Sequence, residues 1–578
     1  MMNIPPIVSG RRKRLLGRLV VNGLAQAAAA IGTAMLIKLA FDRLISTGEP
    51  VPQPLILMAW IALGLVLAAA CIGWLRMREL TDAERMAQDY IFEVRMMLFE
   101  RLSSLSPRTM QRRSRGGVML RFVGDLNALR QWAALGLGRL IVAGVAGVAA
   151  LSALAVVNWV LALAAGVVLI SSALIAFALG KRLHKAVKES RRRTVRIAAN
   201  VNEQIASMQV VQLFNRSDRE HSRIERQNLQ LKDAMVNRAR IRGLLRALTE
   251  GATALATGSV LLLGIAEVLF GNASPGTVVA AMIIVGLLAS PMRDLGRVYE
   301  YWHGARVSQL KISTFLALPP LGAGAEDAPN LQSGPSQVEF DGVSLAGALN
   351  DFTATVPAGS VVALVGPNGA GKTTLLSLLA RLIDPDQGSI LLDGQDIAAH
   401  SLKSLRRRVS MVSPDLNLMR GSISKNIRYR WHNAPDDELT RVCALCGIDE
   451  MVSRLPEGLA TRVTEGGGNL SPGQRSRIAL ARALLGQPSV LLLDEAESNL
   501  DPIAYAAFDR VLAQYEGTVI LVTHRPERLA NVDLIWHLQA GELIEAGPPA
   551  QVLIANGPTA KLFGSGGSND VPLSEATS

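Results

Sequence analysis

The chain has 578 residues, 49% of them hydrophobic, and a formal net charge of +12 at pH 7. Its mean hydropathy of +0.27 is too high for an ordinary soluble enzyme and too low for a protein buried in a membrane throughout, and its length favours several domains. Its three cysteines exclude a disulfide framework. Cys443 and Cys446 have the spacing of a redox or metal motif, but no second ligand pair accompanies them. We therefore interpret both as ordinary helix residues of a reducing cytosol.

Six apolar stretches in the first half are long enough to cross a bilayer, since a membrane-spanning helix needs roughly 20 mostly apolar residues. They cover residues 19–41, 55–75, 133–156, 159–179, 251–270 and 276–292. The first stretch follows a basic cluster and superficially resembles a signal peptide. Because five more stretches follow it, we predict that it is retained as a span.

The basic residues indicate the orientation of these spans. Lys and Arg are concentrated at the N-terminus and in segments 76–130 and 181–246, whereas the connections at 42–54, 157–159 and 270–276 contain almost none. An excess of Lys and Arg marks the cytoplasmic side. We expect an integral multi-pass protein of a bacterial inner membrane, with the N-terminus and the second half of the chain in the cytoplasm. The positive charge then reflects topology, and no nucleic-acid partner is expected.

The two basic segments carry apolar residues at helical spacing. We predict that each forms a pair of long helices that extends the spans into the cytoplasm and ends in a short turn. The membrane half is therefore an all-α, six-helix domain with long cytoplasmic extensions.

Three charged residues, Lys38, Arg139 and Glu267, lie in or near the spans. A charge at the bilayer centre costs about 2.5–3.5 kcal/mol on insertion scales, so such residues are candidates for a transport pathway. All three lie near the end of a span, where a long side chain reaches the interface. We favour this second interpretation.

The composition changes after the membrane domain, residues 1–318. Residues 319–335 are rich in Pro and Gly, which is typical of a linker. Residues 336–563 alternate strand-length apolar runs with helical patterns and indicate a soluble α/β domain. Residues 564–578 are predicted to be a disordered tail.

The soluble domain contains a phosphate-binding loop. An apolar strand, 360-SVVALV-365, is followed by 366-GPNGAGKTT-374 and a helical run, which is G-x-x-x-x-G-K-T in the required strand–loop–helix context. Its glycines let backbone N–H groups surround phosphates, Lys372 reaches the β- and γ-phosphate oxygens, and the Thr373 hydroxyl binds Mg²⁺. The nucleotide-binding residues predicted in this loop are Gly366, Asn368, Gly369, Gly371, Lys372, Thr373 and Thr374.

Two further strands carry candidate catalytic residues. The run 490-VLLL-493 ends in Asp494, a candidate Mg²⁺ ligand, and Glu495, which can polarise a water for attack on the γ-phosphate. The run 519-VILVT-523 is followed by His524. In combination with the other motifs, this histidine is predicted to sense the γ-phosphate.

Together and in this order, the motifs resemble those of exporter-type ABC transporters, in which a membrane domain precedes one nucleotide-binding domain. By this resemblance, 366-GPNGAGKTT-374 matches Walker A, 490-VLLLDE-495 Walker B, 498-SNLD-501 the D-loop, 523-TH-524 the H-switch and 469-NLSPGQR-475 the family signature. The resemblance covers nearly the whole chain. It implies an α/β P-loop NTPase domain of the ABC type that hydrolyses ATP with Mg²⁺.

The resemblance also implies a half-transporter that pairs with a second half-transporter as a homodimer or a heterodimer. Each ATP is then held between Walker A of one chain and Ser471, Gly473 and Gln474 of the other, with Asp501 nearby. Membrane lipid and an unidentified cargo are the remaining partners. The segments 203–214 and 116–130 resemble the surroundings of the two helices that dock on the nucleotide-binding domains.

The chain departs from the family pattern at three places. Residues 345–347 lack the aromatic that stacks on adenine, and since such stacking is worth about 1–3 kcal/mol, we expect ATP affinity to be lower by about tenfold or more. Ser413-Pro414-Asp415 replaces the glutamine that contacts Mg²⁺; either Asp415 approaches the metal or the contact is lost. Pro472 interrupts the signature, but Ser471 can act as an N-cap with Pro472 in the first helical turn, where proline is tolerated.

Two functional hypotheses follow. The first is an exporter that couples ATP hydrolysis to transport, and we favour it because the catalytic residues are all present. The alternative is a low-activity nucleotide-binding partner subunit of a heterodimer. An importer is disfavoured because the membrane and nucleotide domains are fused, with the membrane domain first.

Overall fold

The computed structural model describes residues 4–46, 54–111, 115–322, 328–498, 500–553 and 557–564. The chain forms two compact units, one comprising Met1–Ser103 and Arg113–Leu318 and the other Ser104–Arg112 and Pro319–Ser578. Five residues of the predicted linker, 323–327, lie outside the described residues, as does the predicted tail apart from Gly564.

The described part of the first unit is helical, as predicted. The helices of the first half of the chain are α1 (Arg11–Phe41), α2 (Pro54–Ser104), α3 (Pro107–Gln111), α4 (Arg115–Leu120), α5 (Leu126–Gln131), α6 (Arg139–Val157), α7 (Trp159–Ala206), α8 (Met208–Leu213), α9 (Ser217–Leu269) and α10 (Pro275–Leu316). Three π-helical segments accompany them: Asp42–Ser46, Arg121–Asp125 and Trp132–Gly138.

Five of the six predicted spans lie in helices that are long and apolar enough to cross a membrane. These helices are Arg11–Leu44, Pro54–Ser104, Gly117–Val157, Trp159–Ile205 and Ser217–Leu269. The sixth predicted span, 276–292, lies in α10, whose apolar part among the described residues is the shorter stretch Pro275–Leu288. The sixth crossing therefore stays a prediction.

The predicted long helix pairs are present. Helices α2, α7 and α9 run far beyond the apolar stretches that the sequence marks as spans, and α7 packs along α9. The short helices α3 and α8 form the turns. Residues 116–130 belong to the first unit, whereas the preceding Ser104–Arg112, which contains α3, belongs to the second; the docking role expected around 116–130 stays a prediction.

Glu267 has a structural role. Its carboxylate accepts a hydrogen bond of 3.0 Å from the Asn158 side-chain amide, whose oxygen in turn caps α7 by accepting the N–H groups of Val160 and Leu161. Both residues lie next to the short connections between spans. This contact supports the end-of-span interpretation for Glu267.

The second unit is an α/β domain. Its strands are β1 (Val338–Leu345), β2 (Leu349–Val356), β3 (Val361–Val365), β4 (Gln387–Leu392), β5 (Gln395–Asp396), β6 (Val409–Val412), β7 (Gly421–Ser422), β8 (Arg462–Val463), β9 (Val490–Asp494), β10 (Thr518–Val522), β11 (Leu534–Gln539) and β12 (Glu542–Gly547). Its helices after α3 are α11 (Lys372–Leu379), α12 (Leu402–Arg408), α13 (Ile423–Ile427), α14 (Asp436–Leu445), α15 (Ile448–Val452), α16 (Pro472–Leu484), α17 (Pro502–Gln514), α18 (Pro526–Leu529), α19 (Pro549–Val552) and α20 (Pro558–Gly564).

The main sheet has six strands in the order β12-β11-β3-β10-β9-β6. All pairs are parallel except β11 with the edge strand β12. An antiparallel sheet has the order β2-β1-β4-β5, and β7 pairs with β8. The central strands β9 and β10 are buried along their whole length, as expected for a parallel sheet covered on both faces.

Successive residues of the central strands face two separate cores. Leu491 and Leu493 pack into one hydrophobic cluster, whereas Leu492 packs into the other, because side chains alternate between the faces of a sheet. The loops at the carboxyl ends of β3, β9 and β10 then share one edge of the sheet, where parallel α/β proteins bind their ligands.

The two cysteines of the second half are structural. Cys443 on α14 and Cys446 just after it are free and buried in the same core cluster. Burial raises the pKa of the Cys443 thiol to about 12 and also raises that of Cys446. Both thiols are therefore protonated and unreactive at neutral pH, in agreement with the interpretation from sequence.

Candidate nucleotide-binding site

The phosphate-binding loop follows β3 and requires glycine at two positions. Gly366 has φ +140°, and a Cβ there would overlap the carbonyl oxygen of Leu538. Gly371 has φ +104°, and a Cβ there would lie 2.5 Å from the carbonyl oxygen of Ala348. Backbone in this region of φ disfavours any side chain. The loop can therefore present its N–H groups inward, beside the N-terminus of α11.

Lys372 folds back over this loop. Its amine donates hydrogen bonds of 2.7 Å to the carbonyl of Gly366 and 3.0 Å to that of Pro367, and the residue is buried. Burial lowers the pKa of the amine, while the carboxylates of Glu495 and Asp494 raise it. The cation is thus held where phosphate oxygens bound by the loop would meet it.

Thr373 and Asp494 face each other between α11 and β9. The Thr373 hydroxyl donates to one carboxylate oxygen of Asp494 at 3.0 Å, and Ser413 donates to the other at 3.2 Å. Asp494 is 3% exposed, and burial raises its pKa while both hydroxyl contacts lower it. A carboxylate and hydroxyl oxygens at one point are the donor set that a hard divalent cation prefers.

Glu495 and His524 lie opposite each other at the carboxyl ends of β9 and β10. The distance between Glu495 Oε1 and His524 Nε2 is 3.5 Å, and both side chains are nearly half exposed. Glu495 has φ +47°, a conformation that costs a residue with a side chain about 1–3 kcal/mol and is concentrated at functional sites. The fold thus holds this carboxylate outward, next to the imidazole.

The predicted cap at the signature is confirmed. Ser471 is the N-cap of α16, and its hydroxyl accepts the Gln474 N–H at 3.2 Å while the Gln474 side chain accepts the Ser471 N–H at 2.9 Å. This reciprocal pair is a capping box. Pro472 is the first helical residue, where its missing N–H costs no intrahelical bond.

Comparisons with known proteins identify the family of this chain. A family model described as the ABC transporter transmembrane region matches residues 19–292, and the ABC transporter model matches residues 349–498. The ATP-dependent lipid A-core flippase of Bordetella pertussis is 31% identical over 82% of this chain and 78% of its own length. The chain belongs to the ABC transporter family.

Two other similarities cover most of the chain. The fatty acid ABC transporter ATP-binding/permease protein of Mycobacterium tuberculosis is 29% identical over 86% of this chain and 79% of its own length. The structure of a bacterial Atm1-family ABC exporter with ATP bound has a TM-score of 0.85 and 26% identity, over 97% of this chain and 100% of that one. The protein is therefore a multi-pass ABC exporter that binds ATP and couples its hydrolysis to transport.

Three residues that support the predicted catalytic pair, namely Glu497, Arg528 and Asp509, were missed in the sequence. Buried Glu497 accepts hydrogen bonds from the Thr523 hydroxyl and, at 3.2 Å, from Arg528. Arg528 also donates to Asp509 at 2.6 Å. Because Thr523 precedes His524 and Glu497 lies two residues beyond Glu495, this network connects the segments that carry the two predicted catalytic residues. In the sequence, the acidic residue Glu497, two positions after Walker B, was the signal that could have indicated this network.

The segment that replaces the family glutamine contacts Walker B through Ser413. The two outcomes expected for Ser413-Pro414-Asp415 concern the metal and stay predictions. The buried Ser413 hydroxyl contacts Asp494, and the exposed Asp415 carboxylate is near enough to raise the pKa of Asp494. Arg482 of α16 donates to the carbonyls of Leu416 and Asn417 at 2.7 and 3.1 Å. The segment is therefore fastened at one end to Walker B and at the other to the signature helix.

The loop at residues 345–347, which lacks the adenine-stacking aromatic, is contacted by a helix from the first half of the sequence. Arg108 of α3 donates a hydrogen bond of 2.9 Å to the carbonyl oxygen of Ala346. The same loop continues to Ala348, whose carbonyl lies against Gly371 of the P-loop. An element from the first half of the chain is thus part of the wall beside the P-loop, which sequence spacing did not indicate.

The predicted site residues form two groups within one chain. Lys372, Thr373, Asp494, Glu495 and His524 lie at one edge of the main sheet. Asp501 instead lies beside the signature, because its carboxylate caps α17 by accepting the Ala504 N–H at 2.7 Å and packs against Gly473. Within the described part of the chain, no hydrogen bond or ion pair joins Ser471, Gly473 or Gln474 to residues 366–374.

Replacing Pro472 with glycine is expected to change ATP turnover by less than about twofold. The proline is exposed and occupies the first helical position, so its replacement leaves Ser471 in place. Glycine gives the unfolded chain more conformational freedom, which lowers the free energy of unfolding by about 1 kcal/mol. Ser471→Arg is expected to abolish turnover, since it fills the position of the hydroxyl. Phosphate release by the purified variants measures both, and a hundredfold gain in Pro472→Gly would contradict the assignment.

Proposed function

We propose that two copies of this chain form a homodimeric exporter of a bacterial inner membrane, with both nucleotide-binding domains in the cytoplasm and two complete ATP sites. The observation that carries the proposal is the Glu495–His524 pair, which lies at the same sheet edge as the contact of Thr373 with Asp494. A subunit specialised for binding alone has no need of a strained, outward-facing carboxylate. The basic residues next to the spans support the orientation.

In each proposed site, Lys372 and the loop N–H groups hold the β- and γ-phosphates. Thr373 and Asp494 would hold Mg²⁺, which supplies positive charge to the phosphate oxygens when bound. Glu495 accepts a proton from the attacking water, and His524 contacts the γ-phosphate. The Ser471 hydroxyl and the Gly473 N–H of the other copy close the site, which fits their separation from the P-loop within one chain.

The cargo is proposed to be a membrane amphiphile. Two relatives carry names that refer to lipids, a lipid A-core flippase and a fatty acid transporter. The spans of this chain lack a dense aromatic cage, which disfavours a cationic cargo bound by aromatic faces. A lipid partner also suits a transporter whose spans are exposed to the bilayer.

Vanadate-sensitive ATPase activity of the purified chain, reconstituted without any other subunit, tests this proposal. The homodimer is expected to hydrolyse ATP without another subunit. Lys372→Ala is expected to lack this activity and therefore measures the background of the preparation. If the chain binds ATP but hydrolyses it only after a second, different half-transporter is added, the heterodimer alternative is correct.

Replacing Ser413 with alanine is expected to lower ATP turnover by about threefold to tenfold and to raise the Mg²⁺ concentration at half-maximal rate. The change removes one of the two hydroxyl contacts to the buried Asp494, and a hydrogen bond to a charged group contributes about 1.5–3 kcal/mol, part of which the remaining contact from Thr373 recovers. Ser410→Ala, on β6 three residues before Ser413, is the control. Equal Mg²⁺ dependence in both variants would show that Ser413 does not support the metal ligand.

A further inference from the structure

The first unit contains a cavity of about 670 Å³ whose wall is built by α1, α2, α6, α7, α9 and α10. Its volume is in the range of sites that bind small molecules of drug size or larger. The wall combines a charged part with an apolar part, and the two parts lie at different depths.

The charged part is strongly basic. Five arginines among the described residues line the cavity, namely Arg76, Arg139, Arg242, Arg246 and Arg297. Two carboxylates of the same described wall, Glu79 and Glu300, accompany them, so this part of the wall carries a surplus of three positive charges. Arg139 is one of these wall residues, and its position near the membrane interface stays a prediction.

The two carboxylates are already engaged. Glu300 pairs with Arg238, outside the cavity wall, and lies 3.8 Å from Arg242. Glu79 accepts a hydrogen bond of 2.8 Å from Gln26. Among the described residues, no carboxylate lies within ion-pair distance of Arg76 or Arg297. These two cations are the ones that an added anion would neutralise.

The basic part of the wall lies near the predicted cytoplasmic ends of the spans, and the apolar part lies deeper along the spans. Arg76 directly follows the predicted span 55–75, and Arg246 precedes 251–270, so both mark predicted cytoplasmic ends. Along α6 the wall continues from Arg139 to Ala150, eleven residues or about 16 Å of helix. The deeper wall is made of small and aliphatic side chains, namely Ala143, Ala146, Ala150, Ile72, Ile284 and Leu288.

We propose that this cavity binds an anionic amphiphile, with its phosphate or carboxylate headgroup between Arg76 and Arg297 and its hydrocarbon chain along the alanine-rich wall. Guanidinium groups bind both headgroups through paired N–H donors, and the attraction is stronger in a site with little water. A soluble anion would leave the apolar wall unfilled, and a cationic amphiphile would be repelled. The inference rests on the proposed function, since it specifies the cargo of that exporter.

Binding to the full-length protein in dodecyl maltoside tests the inference with four radiolabelled probes: phosphatidylglycerol, oleate, phosphatidylcholine and glycerol phosphate. Phosphatidylglycerol and oleate are expected to bind, whereas the zwitterionic lipid and the headgroup without a chain are not. Retention of only one anionic lipid also supports the inference and identifies the headgroup. Equal retention of phosphatidylcholine and phosphatidylglycerol overturns it.

The arginines are tested by the double variant Arg76→Ala with Arg297→Ala, which is expected to weaken binding of the anionic lipid by about thirtyfold for the two charges together. The matching lysine pair keeps the charges and is expected to stay within about threefold. A control pair, Arg85→Ala with Arg192→Ala, removes the same charge from exposed side chains outside the cavity. Unchanged affinity in the Arg76 and Arg297 alanine pair overturns the inference.

The two proposals fail in different ways. Anionic-lipid binding that is lost in the alanine pair, in a chain with no ATPase activity of its own, contradicts the homodimeric function and leaves the cavity assignment standing. ATPase activity of the chain alone, without a preference for anionic lipid, supports the homodimeric function and contradicts the cavity assignment. Lipid-dependent stimulation of ATPase, measured on the parent and the control pair, links the two.

Discussion

Replacing Glu495 with glutamine is expected to lower ATP turnover by about 10²- to 10⁴-fold, the range contributed by a positioned general base, while ATP binding persists. Glutamine has the same shape but accepts no proton at neutral pH. Among the residues that the structure describes, no hydrogen bond joins the Glu495 side chain to the P-loop; its close neighbour is His524, at 3.5 Å. The change therefore removes chemistry and leaves the walls of the nucleotide site in place.

Two measurements on the same preparation separate these effects. Vanadate-sensitive phosphate release is expected to fall in Glu495→Gln, and binding of radiolabelled ATP is expected to match the parent within about twofold. Glu527→Gln is the control, because Glu527 is an exposed carboxylate three residues beyond His524 and has no role in the proposed chemistry. Turnover of Glu495→Gln at the parent rate would show that another group accepts the proton.

The local motifs were predictable because each is a short run whose geometry the backbone alone determines. The P-loop needs only β3, two glycines in forbidden regions of φ and the start of α11, all within residues 361–379. The cap at Ser471 likewise depends on four consecutive residues. Such features need no knowledge of the rest of the fold.

Contacts that depend on the order of the strands were not predictable in this way. Ser413 meets Asp494 because β6 lies beside β9 in the main sheet, with Val412 paired to Leu493, so the next residues on both strands are neighbours. The sequence places these strands about 80 residues apart. The network of Glu497 with Arg528 depends in the same way on β9 lying beside β10.

In the membrane half, too, the features that depend on contacts between segments were not predictable from the sequence. Hydropathy and charge predicted six spans, and five of them lie in helices with the length and composition of a span, because these properties belong to each segment separately. The cavity instead depends on which helix faces meet. The arginines that line it come from four helices, and in each helix alone the sequence shows only a predicted span with ordinary basic residues near it.

Replacing Gly473 with alanine is expected to lower ATP turnover by at least about a hundredfold. A Cβ at this position would lie 2.5 Å from a carboxylate oxygen of Asp501. Asp501 has little freedom to move, because it caps α17 through the Ala504 N–H, and loss of such a cap costs about 1 kcal/mol. The signature and the D-loop therefore shift together, and both belong to the surface that is proposed to meet the ATP held by the other copy.

Gly468→Ala supplies the matched control in the same segment. Gly468 has φ −59°, which suits alanine, and a Cβ there would lie 3.6 Å from the Thr464 hydroxyl, an ordinary contact. We expect this variant to hydrolyse ATP at nearly the parent rate. Cross-linking of the dimer after vanadate trapping measures site closure directly, and Gly473→Ala is expected to trap poorly while still binding ATP at its own P-loop. A Gly473→Ala protein that traps as efficiently as Gly468→Ala would mean that the signature surface tolerates the displacement and does not contact the nucleotide closely.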